Sequence, residues 1–208
     1  MIVIVEPCNA EKHVYLLEQM FRLRARIFHD RLTWGVVVKG GKERDKYDDE
    51  NPVYVIYTDE LQHRLKGSFR LLPTTGPTVS ADFFSDTDPD AAHLVAPTIW
   101  ECTRFCLDDD AWHKDRVESS FASTVLLVAL GDLALRAGIE SIVGVFDASM
   151  LHLWRRIGYD VEVLGSTSRS SCPLYLGLHP ISEAIVSRIK KSLKEARSVF
   201  AEAREMTA

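Results

Sequence analysis

The sequence TIWECTRFCL (residues 98–107) begins the part of the chain that decides the fold. Its β-branched and aromatic residues predict a strand, and the helical segment that follows ends at Ala137, just before Gly138. SIVGVFD (residues 141–147) predicts the next strand. Strand, long helix and strand in this order indicate a mixed sheet with helices on its faces.

The rest of the chain extends this pattern in both directions. We predict a strand at residues 1–5, a helix from about 11 to 32, and two strands at 52–58 and 65–72 joined by a turn. Apolar residues at helical spacing predict an amphipathic C-terminal helix at about 181–206. We therefore expect one α/β (mixed α+β) domain over residues 1–208, with helices flanking a central mixed, twisted sheet. The acyltransferase fold of the GNAT type is one architecture with this order.

Composition excludes several classes of protein. The net charge of −5 lacks the basic excess of nucleic-acid-binding proteins. No run approaches the length of a membrane span, and the first residues do not form a signal peptide, so we expect a cytoplasmic protein. The four cysteines show no disulfide spacing, and Cys102 and Cys106 lack the further ligands of a zinc site. We expect no metal and no permanently bound cofactor.

One stretch between residues 24 and 48 mixes charges and aromatic rings in a way that a core helix does not need. Its members are Arg24, Phe28, Trp34, Glu43, Asp45 and Asp48. Carboxylates attract a cation, an arginine binds a carboxylate, and aromatic rings present a π face to a cation. The stretch predicts a pocket for a small zwitterionic substrate that carries a positive charge.

Two later strands add charged side chains to this set. Arg70 precedes a proline stop, and Glu101 and Arg104 share the strand at 98–107. Residues three apart on a regular strand point to opposite faces, so Glu101 and Arg104 either serve different sides or lie on a distorted strand. The charges form either a pocket or a structural network of ion pairs. We favour the pocket, because buried ions are costly unless they are paired.

The motifs occur in an order that carries a family resemblance. They are R-x-x-x-F at Arg24 and Phe28, Trp34, E-x-D-x-x-D at Glu43, Asp45 and Asp48, RLLPT at residues 70–74, Phe84, and WECTRF at residues 100–105. This order resembles the acyl-homoserine-lactone synthases, the LuxI-type autoinducer synthases. The resemblance runs from about residue 22 to 105 and continues more loosely from 143 to 158.

The resemblance implies a GNAT-like fold and a two-step reaction. The amine of S-adenosylmethionine, a co-substrate, attacks the thioester carbonyl of an acyl carrier protein or of coenzyme A. The methionine-derived carboxylate then closes on its γ-carbon, which releases the lactone and methylthioadenosine. Glu101 is implied as the base that accepts the proton of the amine, with Glu43 as a substitute.

The resemblance also implies roles for the other residues. Arg24, Phe28 and Trp34 would shape the S-adenosylmethionine pocket. The ion network that fixes the N-terminal region against the sheet would consist of Asp45, Asp48, Arg70 and Arg104. The acyl pocket would consist of Phe84, Cys102, Gly144, Phe146 and Met150, although Phe146 and Met150 are explained equally well as core residues.

Two positions depart from the pattern of the family. Cys102 stands where many relatives have serine or another small residue. Gly144 stands where relatives that favour 3-oxo acyl chains tend to carry threonine. A 3-oxo group would lack one hydrogen-bond partner here, so we expect an unsubstituted acyl chain.

Two other functions use this scaffold. A GNAT-type N-acyltransferase acting on another amine usually has a glycine-rich loop that binds pyrophosphate, but residues 107–114 are acidic and contain no glycine. A non-catalytic ligand-binding relative would not need Glu101. Arg155 and Arg156 fit either an acidic carrier protein or a solvated helix end.

Overall fold

The computed structural model describes residues 1–59, 61, 64–84, 94–108, 116–148, 150–151, 154, 161–167 and 173–205. Side chains are described for these residues except 83–84, 116–120, 167 and 195–205. No helix in this part of the chain is both long enough and apolar enough to span a bilayer.

Nine strands and four α-helices make up the described chain. The strands are β1 (Ile2–Val5), β2 (Val38–Lys39), β3 (Lys42–Glu43), β4 (Val53–Thr58), β5 (Leu65–Pro73), β6 (Ile99–Leu107), β7 (Ser141–Asp147), β8 (Glu162–Thr167) and β9 (Leu174–Pro180). The helices are α1 (Val14–Arg24), α2 (Val79–Phe84), α3 (Arg116–Ala137) and α4 (Glu183–Glu205). Short 3₁₀ segments cover Ala10–His13 and Lys46–Asp49, and a π-helical segment covers Ala25–Arg31.

Seven strands form one mixed sheet in the order β1-β4-β5-β6-β7-β9-β8. All neighbouring pairs are antiparallel except β6 and β7, which are parallel and are joined through α3. The predicted strand–helix–strand order therefore gives a crossover, and Gly138 ends α3 with a φ of 69°.

Helices cover both faces of the sheet. On the first, which we call the α1 face, α1 and the π-helical segment pack on alternate residues of β1 and β4, such as Val5 and Ile56. On the opposite α3 face, α3 packs on the intervening residues, including Val55 and Phe69. Helix α4 packs closely against α3 at Gly131. A Cβ added at this glycine would lie only 2.7 Å from Val186 Cγ2, so a larger residue would not fit. The alternation of apolar residues along the strands produces the two separate cores.

Strands β6 and β7 pair only at their first three residues. The last pair is Glu101 with Val143, and beyond it β6 continues to Leu107 and β7 to Asp147 without pairing to each other. The two strands therefore separate from Cys102 and Gly144 onward, and a gap opens in the middle of the sheet.

A β-bulge distorts β6 at Arg104. Ser68 of β5 pairs with Cys106, but Arg70 pairs with Thr103, so Arg104 and Phe105 together lie opposite one residue of β5. Arg104 adopts a φ of 57°, in the left-handed region that non-glycine residues seldom occupy. The bulge resolves the alternative left open by the sequence in favour of a distorted strand. The extra residue turns Arg104 to the α1 face, the face of Thr103 and of Glu101 two residues before it.

Candidate active site

A cavity of about 680 Å³ lies at the gap between β6 and β7. On the α1 face, its wall includes Phe28, Trp34, Tyr47 and Asp82. On the α3 face, its wall is mostly apolar and includes Leu127, Leu130, Phe146, Met150, Trp154 and His179. Residues 102–107 of β6 and 144–147 of β7 lie between the two groups. The cavity thus reaches both faces of the sheet through the gap.

The π-helical segment shapes the wall on the α1 face. It carries Ile27, Phe28 and Arg31 into the cavity lining directly after α1. The ring of Phe28 packs against that of Trp34, with centroids 5.1 Å apart, and Trp34 N donates to Phe28 O at 2.8 Å. Segments with this wider helical turn occur often at functional sites.

Beside the cavity, three arginines and three acids form a closed set of ion pairs that we call the ion ring. Its members are Arg24, Arg70, Arg104, Glu43, Asp45 and Asp48. Each arginine contacts two of the acids, and each acid contacts two of the arginines. The ring links α1, β5 and β6 to the segment at 43–48.

The contacts of the ion ring are short and largely buried. Arg24 donates to Glu43 Oε2 at 2.5 Å and to both oxygens of Asp48 at 2.8 Å. Arg70 donates to Asp45 Oδ1 at 2.5 Å and to Asp48 Oδ1 at 2.8 Å, and Arg104 donates to Glu43 Oε1 at 2.9 Å. Such bidentate, charge-assisted hydrogen bonds fix orientation as well as charge.

Asp48 accepts more hydrogen bonds than either other acid of the ring. Burial by itself would raise the pKa of Asp48, but the hydrogen bonds and charge of Arg24 and the charge of Arg70 outweigh it, so this pKa lies well below its usual range. Tyr54 also donates to Asp48 Oδ1 at 2.8 Å. Asp48 Oδ2 accepts from Asp45 N at 2.9 Å, and Asp45 Oδ1 accepts from Tyr47 N at 3.0 Å, which caps the 3₁₀ turn in both directions.

Arg104 connects the ion ring to the cavity. Its guanidinium carbon lies 5.2 Å from the centroid of the Phe28 ring, and Arg104 belongs to the cavity wall. The bulge in β6 is what directs this side chain toward the α1 face, so a strained backbone position serves the site.

Glu101 lies at the point where β6 and β7 separate. It is fully buried, and its two oxygens accept from Val79 N at 3.0 Å and Ser80 N at 2.6 Å, at the start of α2. Burial raises the pKa of Glu101, although the hydrogen bonds from Ser80 and Val79 offset part of this effect. The carboxyl group is thus a stronger proton acceptor than an exposed glutamate.

Neutral side chains line the α3 side of the cavity. Burial raises the pKa of the Cys102 thiol and lowers the pKa of His179 to about 3, so both are uncharged near neutral pH. Trp154 packs edge-on against Phe146 and His179, with ring centroids 4.3 Å apart in both pairs. An apolar compartment of this kind suits a hydrocarbon chain.

The structure places most of the residues singled out from the sequence in the cavity wall or in the ion ring, and Glu101 beside them at the last β6–β7 pair. Phe28, Trp34, Arg104, Cys102, Gly144, Phe146 and Met150 line the cavity. Arg24, Glu43, Asp45, Asp48 and Arg70 lie in the ion ring, and of these Arg24 was expected in the pocket and Glu43 as a substitute base. The side chain of Phe84, and Arg155 and Arg156, lie outside the described residues.

Several residues that line the cavity were missed from the sequence. Tyr47, Asp82, Thr103, Trp154 and His179 all belong to its wall. Tyr47 and Asp82 lie inside or near the motifs that were recognised, but neither stands out by residue type alone. Among the described residues, no group of three or more His, Cys, Asp or Glu side chains is placed to hold a metal ion.

Comparison with known proteins agrees with this geometry. The family model described as autoinducer synthase matches residues 9–189. An acyl-homoserine-lactone synthase of Rhizobium etli is 44% identical over 166 residues, which cover 79% of this chain and 77% of the relative. The chain belongs to the autoinducer synthase family. The resemblance predicted from the motif order is confirmed.

Solved structures agree with the fold of this autoinducer synthase. The coenzyme A-dependent acyl-homoserine lactone synthase BjaI, solved with S-adenosylmethionine and isopentyl-coenzyme A, superposes with a TM-score of 0.78 at 26% identity, covering 93% of this chain and 89% of that one. An N-acetyltransferase described as putative, from Lactobacillus plantarum, superposes with a TM-score of 0.56 at 13% identity, covering 87% and 99%. The predicted GNAT-like α/β fold is confirmed, and the enzyme is an acyltransferase of the acyl-homoserine-lactone synthase type.

Proposed function

We propose that this autoinducer synthase joins S-adenosylmethionine and an acyl thioester across the gap between β6 and β7. The observation that supports this most directly is the cavity itself, whose wall on the α1 face carries charged and aromatic groups and whose wall on the α3 face is apolar. Two chemically different substrates can therefore enter from opposite faces of the sheet and meet at the gap. The reaction is the two-step formation of an acyl-homoserine lactone and methylthioadenosine.

S-adenosylmethionine occupies the α1 side in this proposal. The rings of Phe28 and Trp34 offer π faces to its adenine and its sulfonium, and Arg104 offers a cation to its carboxylate. Arg24 contributes indirectly, since its guanidinium is held by Glu43 and Asp48. The ion ring keeps the segment at 43–48 and Arg104 in place before the substrate arrives.

Glu101 accepts the proton that the substrate amine loses. Its position at the last β6–β7 pair places the carboxyl group at the apex of the gap, and its buried surroundings favour proton uptake. Glu101 does not line the cavity. A water molecule therefore carries the proton from the substrate amine to the Glu101 carboxylate. Glu43 is poorly placed for this role, because both of its oxygens are ion-paired with arginines, whereas those of Glu101 accept from neutral backbone N–H groups.

The lactone-forming step needs orientation more than acid–base chemistry. The sulfonium is already a good leaving group, so the enzyme has only to hold the methionine carboxylate against its own γ-carbon. The raised pKa of the Cys102 thiol also speaks against an acylated cysteine, because the thiolate is the nucleophilic form. We propose direct transfer from the thioester to the amine.

The acyl chain occupies the α3 side, against Phe146, Met150 and the residues of α3 that reach the cavity. We propose an unsubstituted chain, because Gly144 offers no hydroxyl at the point where the 3-position would pass. We further propose that residues 1–208 act as a single domain in the cytoplasm. The acyl carrier is an acyl carrier protein or coenzyme A.

Gly144 provides a test of the choice of acyl chain. A Cβ at this position would lie 3.1 Å from the backbone oxygen of Cys102, so Gly144→Ala and Gly144→Thr should both lower kcat/KM by crowding the gap. Only threonine adds a hydroxyl. We expect the ratio of kcat/KM for 3-oxo over unsubstituted thioesters of equal length to rise about fivefold from the alanine to the threonine variant, the worth of roughly one hydrogen bond. Equal ratios in the two variants would contradict this assignment.

The proposed function is tested by incubating the protein with S-adenosylmethionine and panels of acyl-carrier-protein and coenzyme A thioesters, followed by mass spectrometry. We expect acyl-homoserine lactone and methylthioadenosine in equal amounts. Release of the thiol without methylthioadenosine would point to a plain N-acyltransferase. Absence of all products from a folded protein that binds S-adenosylmethionine would support the non-catalytic relative.

A further inference from the structure

Asp82 is a carboxylate on the α1 side of the cavity that has no role in the mechanism so far. It lies on α2 and forms part of the cavity wall together with Val79, which is one helical turn earlier. Residues three apart on a helix lie on the same face, so both side chains can reach the cavity. Among the described residues, the acids of the cavity wall are Asp82 and Asp147, and Asp147 caps Met150 N at 3.2 Å on the β7 side.

We infer that Asp82 binds the ammonium group of S-adenosylmethionine and brings the amine to the gap between β6 and β7. This inference rests on the proposed function. The amine must lie at the gap to reach the thioester, and α2 begins there, because Glu101 at the apex of the gap holds Val79 N and Ser80 N. Asp82 is one turn away, about 4.5 Å along the helix axis.

The side chain of Asp82 is held by two consecutive residues of the 3₁₀ turn at Lys46–Asp49. Tyr47, which also lines the cavity, donates its hydroxyl to Asp82 Oδ2 at 2.8 Å, and Lys46 makes an ion pair with the same oxygen. The carboxylate is thus oriented by the same 3₁₀ turn whose acids belong to the ion ring.

The position of Asp82 favours it over the acids of the ion ring as the cation-binding group. Each acid of the ring is ion-paired with two arginines, and none of the three belongs to the cavity wall, whereas Asp82 does. A substrate with an ammonium and a sulfonium therefore meets Asp82 in the cavity rather than an acid of the ring.

The pKa values of Asp82 and Glu101 are shifted in opposite directions. Hydrogen bonds from Lys46 and Tyr47 lower the pKa of Asp82, whereas burial raises the pKa of Glu101. A pair of acids whose pKa values are pushed apart is typical of a site that separates binding from proton transfer. Asp82 stays ionised and holds the ammonium form, and Glu101 takes the proton when the amine attacks.

The test measures binding of three ligands by calorimetry to the wild type and to Asp82→Asn. S-adenosylmethionine carries both cations, S-adenosylhomocysteine carries the ammonium alone, and methylthioadenosine carries neither. We expect the asparagine variant to bind the first two about tenfold more weakly, as for loss of one charge-assisted hydrogen bond, and to bind methylthioadenosine with unchanged affinity. Tyr47→Phe, which removes the hydroxyl that orients Asp82, should weaken the same two ligands by a smaller factor.

Asp49→Asn serves as the matched control, because Asp49 is an exposed acid of the neighbouring turn and pairs with Arg44 outside the cavity. We expect it to leave all three affinities unchanged. Unchanged binding of S-adenosylmethionine to Asp82→Asn would overturn the inference, as would loss of S-adenosylmethionine binding with that of S-adenosylhomocysteine retained, which would assign Asp82 to the sulfonium. An equal loss of affinity for methylthioadenosine would overturn it too, because it would show that the substitution disturbs the structure of the site rather than one charge contact. Failure of the wild type to bind S-adenosylmethionine at all would instead overturn the proposed function.

Discussion

Replacing Asp48 by asparagine should lower the free energy of unfolding by about 3–5 kcal/mol, the usual cost of removing one partner from a buried ion pair. The side chain of Asp48 is fully buried, and the change would leave Arg24 and Arg70 facing one carboxylate fewer. Urea unfolding at neutral pH, followed by tryptophan fluorescence and by circular dichroism, measures the effect. A loss this large approaches the whole stability of many domains, so we expect part of the variant to be unfolded without denaturant.

Asp49→Asn again offers the matched comparison. It removes the same charge from the next residue in the chain, and Asp49 is exposed and pairs with Arg44 at 2.9 Å. Exposed ion pairs contribute little, so we expect a change within about 0.5 kcal/mol. If Asp48→Asn and Asp49→Asn cost the same, the ion ring does not stabilise the fold as described.

The ion ring also sets the response of the wild type to acid. The pKa of Asp48 is lower in the folded chain than in the unfolded chain, so the stability it contributes is present above about pH 4, the unfolded value for aspartate, and is lost progressively below it. Asp48→Asn should show a shallower loss of unfolding free energy over this range. Parallel curves for the two proteins would exclude Asp48 as a source of the acid sensitivity.

Replacing Glu101 by glutamine should reduce kcat for lactone formation by about 10²- to 10⁴-fold, the range typical for loss of a general base. The amide keeps one oxygen to accept from α2, so we expect the affinity for S-adenosylmethionine to change no more than about threefold. Single-turnover kinetics with a saturating thioester, together with calorimetry, separate the two quantities.

The pH dependence of kcat provides the control for this variant. A base must be deprotonated to act, and burial raises the pKa of Glu101. Wild-type kcat should therefore rise with pH, with an apparent pKa above the usual value for a glutamate. That rise should be missing in Glu101→Gln. If turnover and S-adenosylmethionine affinity fall by the same factor, Glu101 acts only by holding the start of α2.

The order of elements and the family were within reach of the sequence, because both depend on local signals. Strand β6 and the glycine that ends α3 were predicted from residue type and spacing. Whether Glu101 and Arg104 point to the same face could not be decided from the sequence, because a bulge depends on which residues pair across strands. The pairing of Ser68 with Cys106 and of Arg70 with Thr103 shows that β6 has one residue more than β5 in this interval.

The sequence singled out many of the residues that lie around the cavity, but not how they are arranged. Arg24 was expected to touch a substrate, yet its hydrogen bonds go to Glu43 and Asp48, about twenty residues along the chain. Which acid pairs with which arginine is decided by the positions of α1, β5 and β6 in space. Asp82 escaped notice for the same reason, because nothing in VSADFF indicates that its helix starts from a buried glutamate on another strand.

The closed alternation of charges in the ion ring limits how this sequence can change over time. Any single replacement of one of the six members by a neutral residue leaves an odd buried charge, and a reversal of sign leaves two. Tolerated changes must therefore come as compensating pairs, one arginine together with one of the two acids it contacts. We expect the two pairs made by Arg104 to couple positions about sixty residues apart in the chain, as Glu43 and Arg104 are, and the other pairs to couple positions about twenty apart.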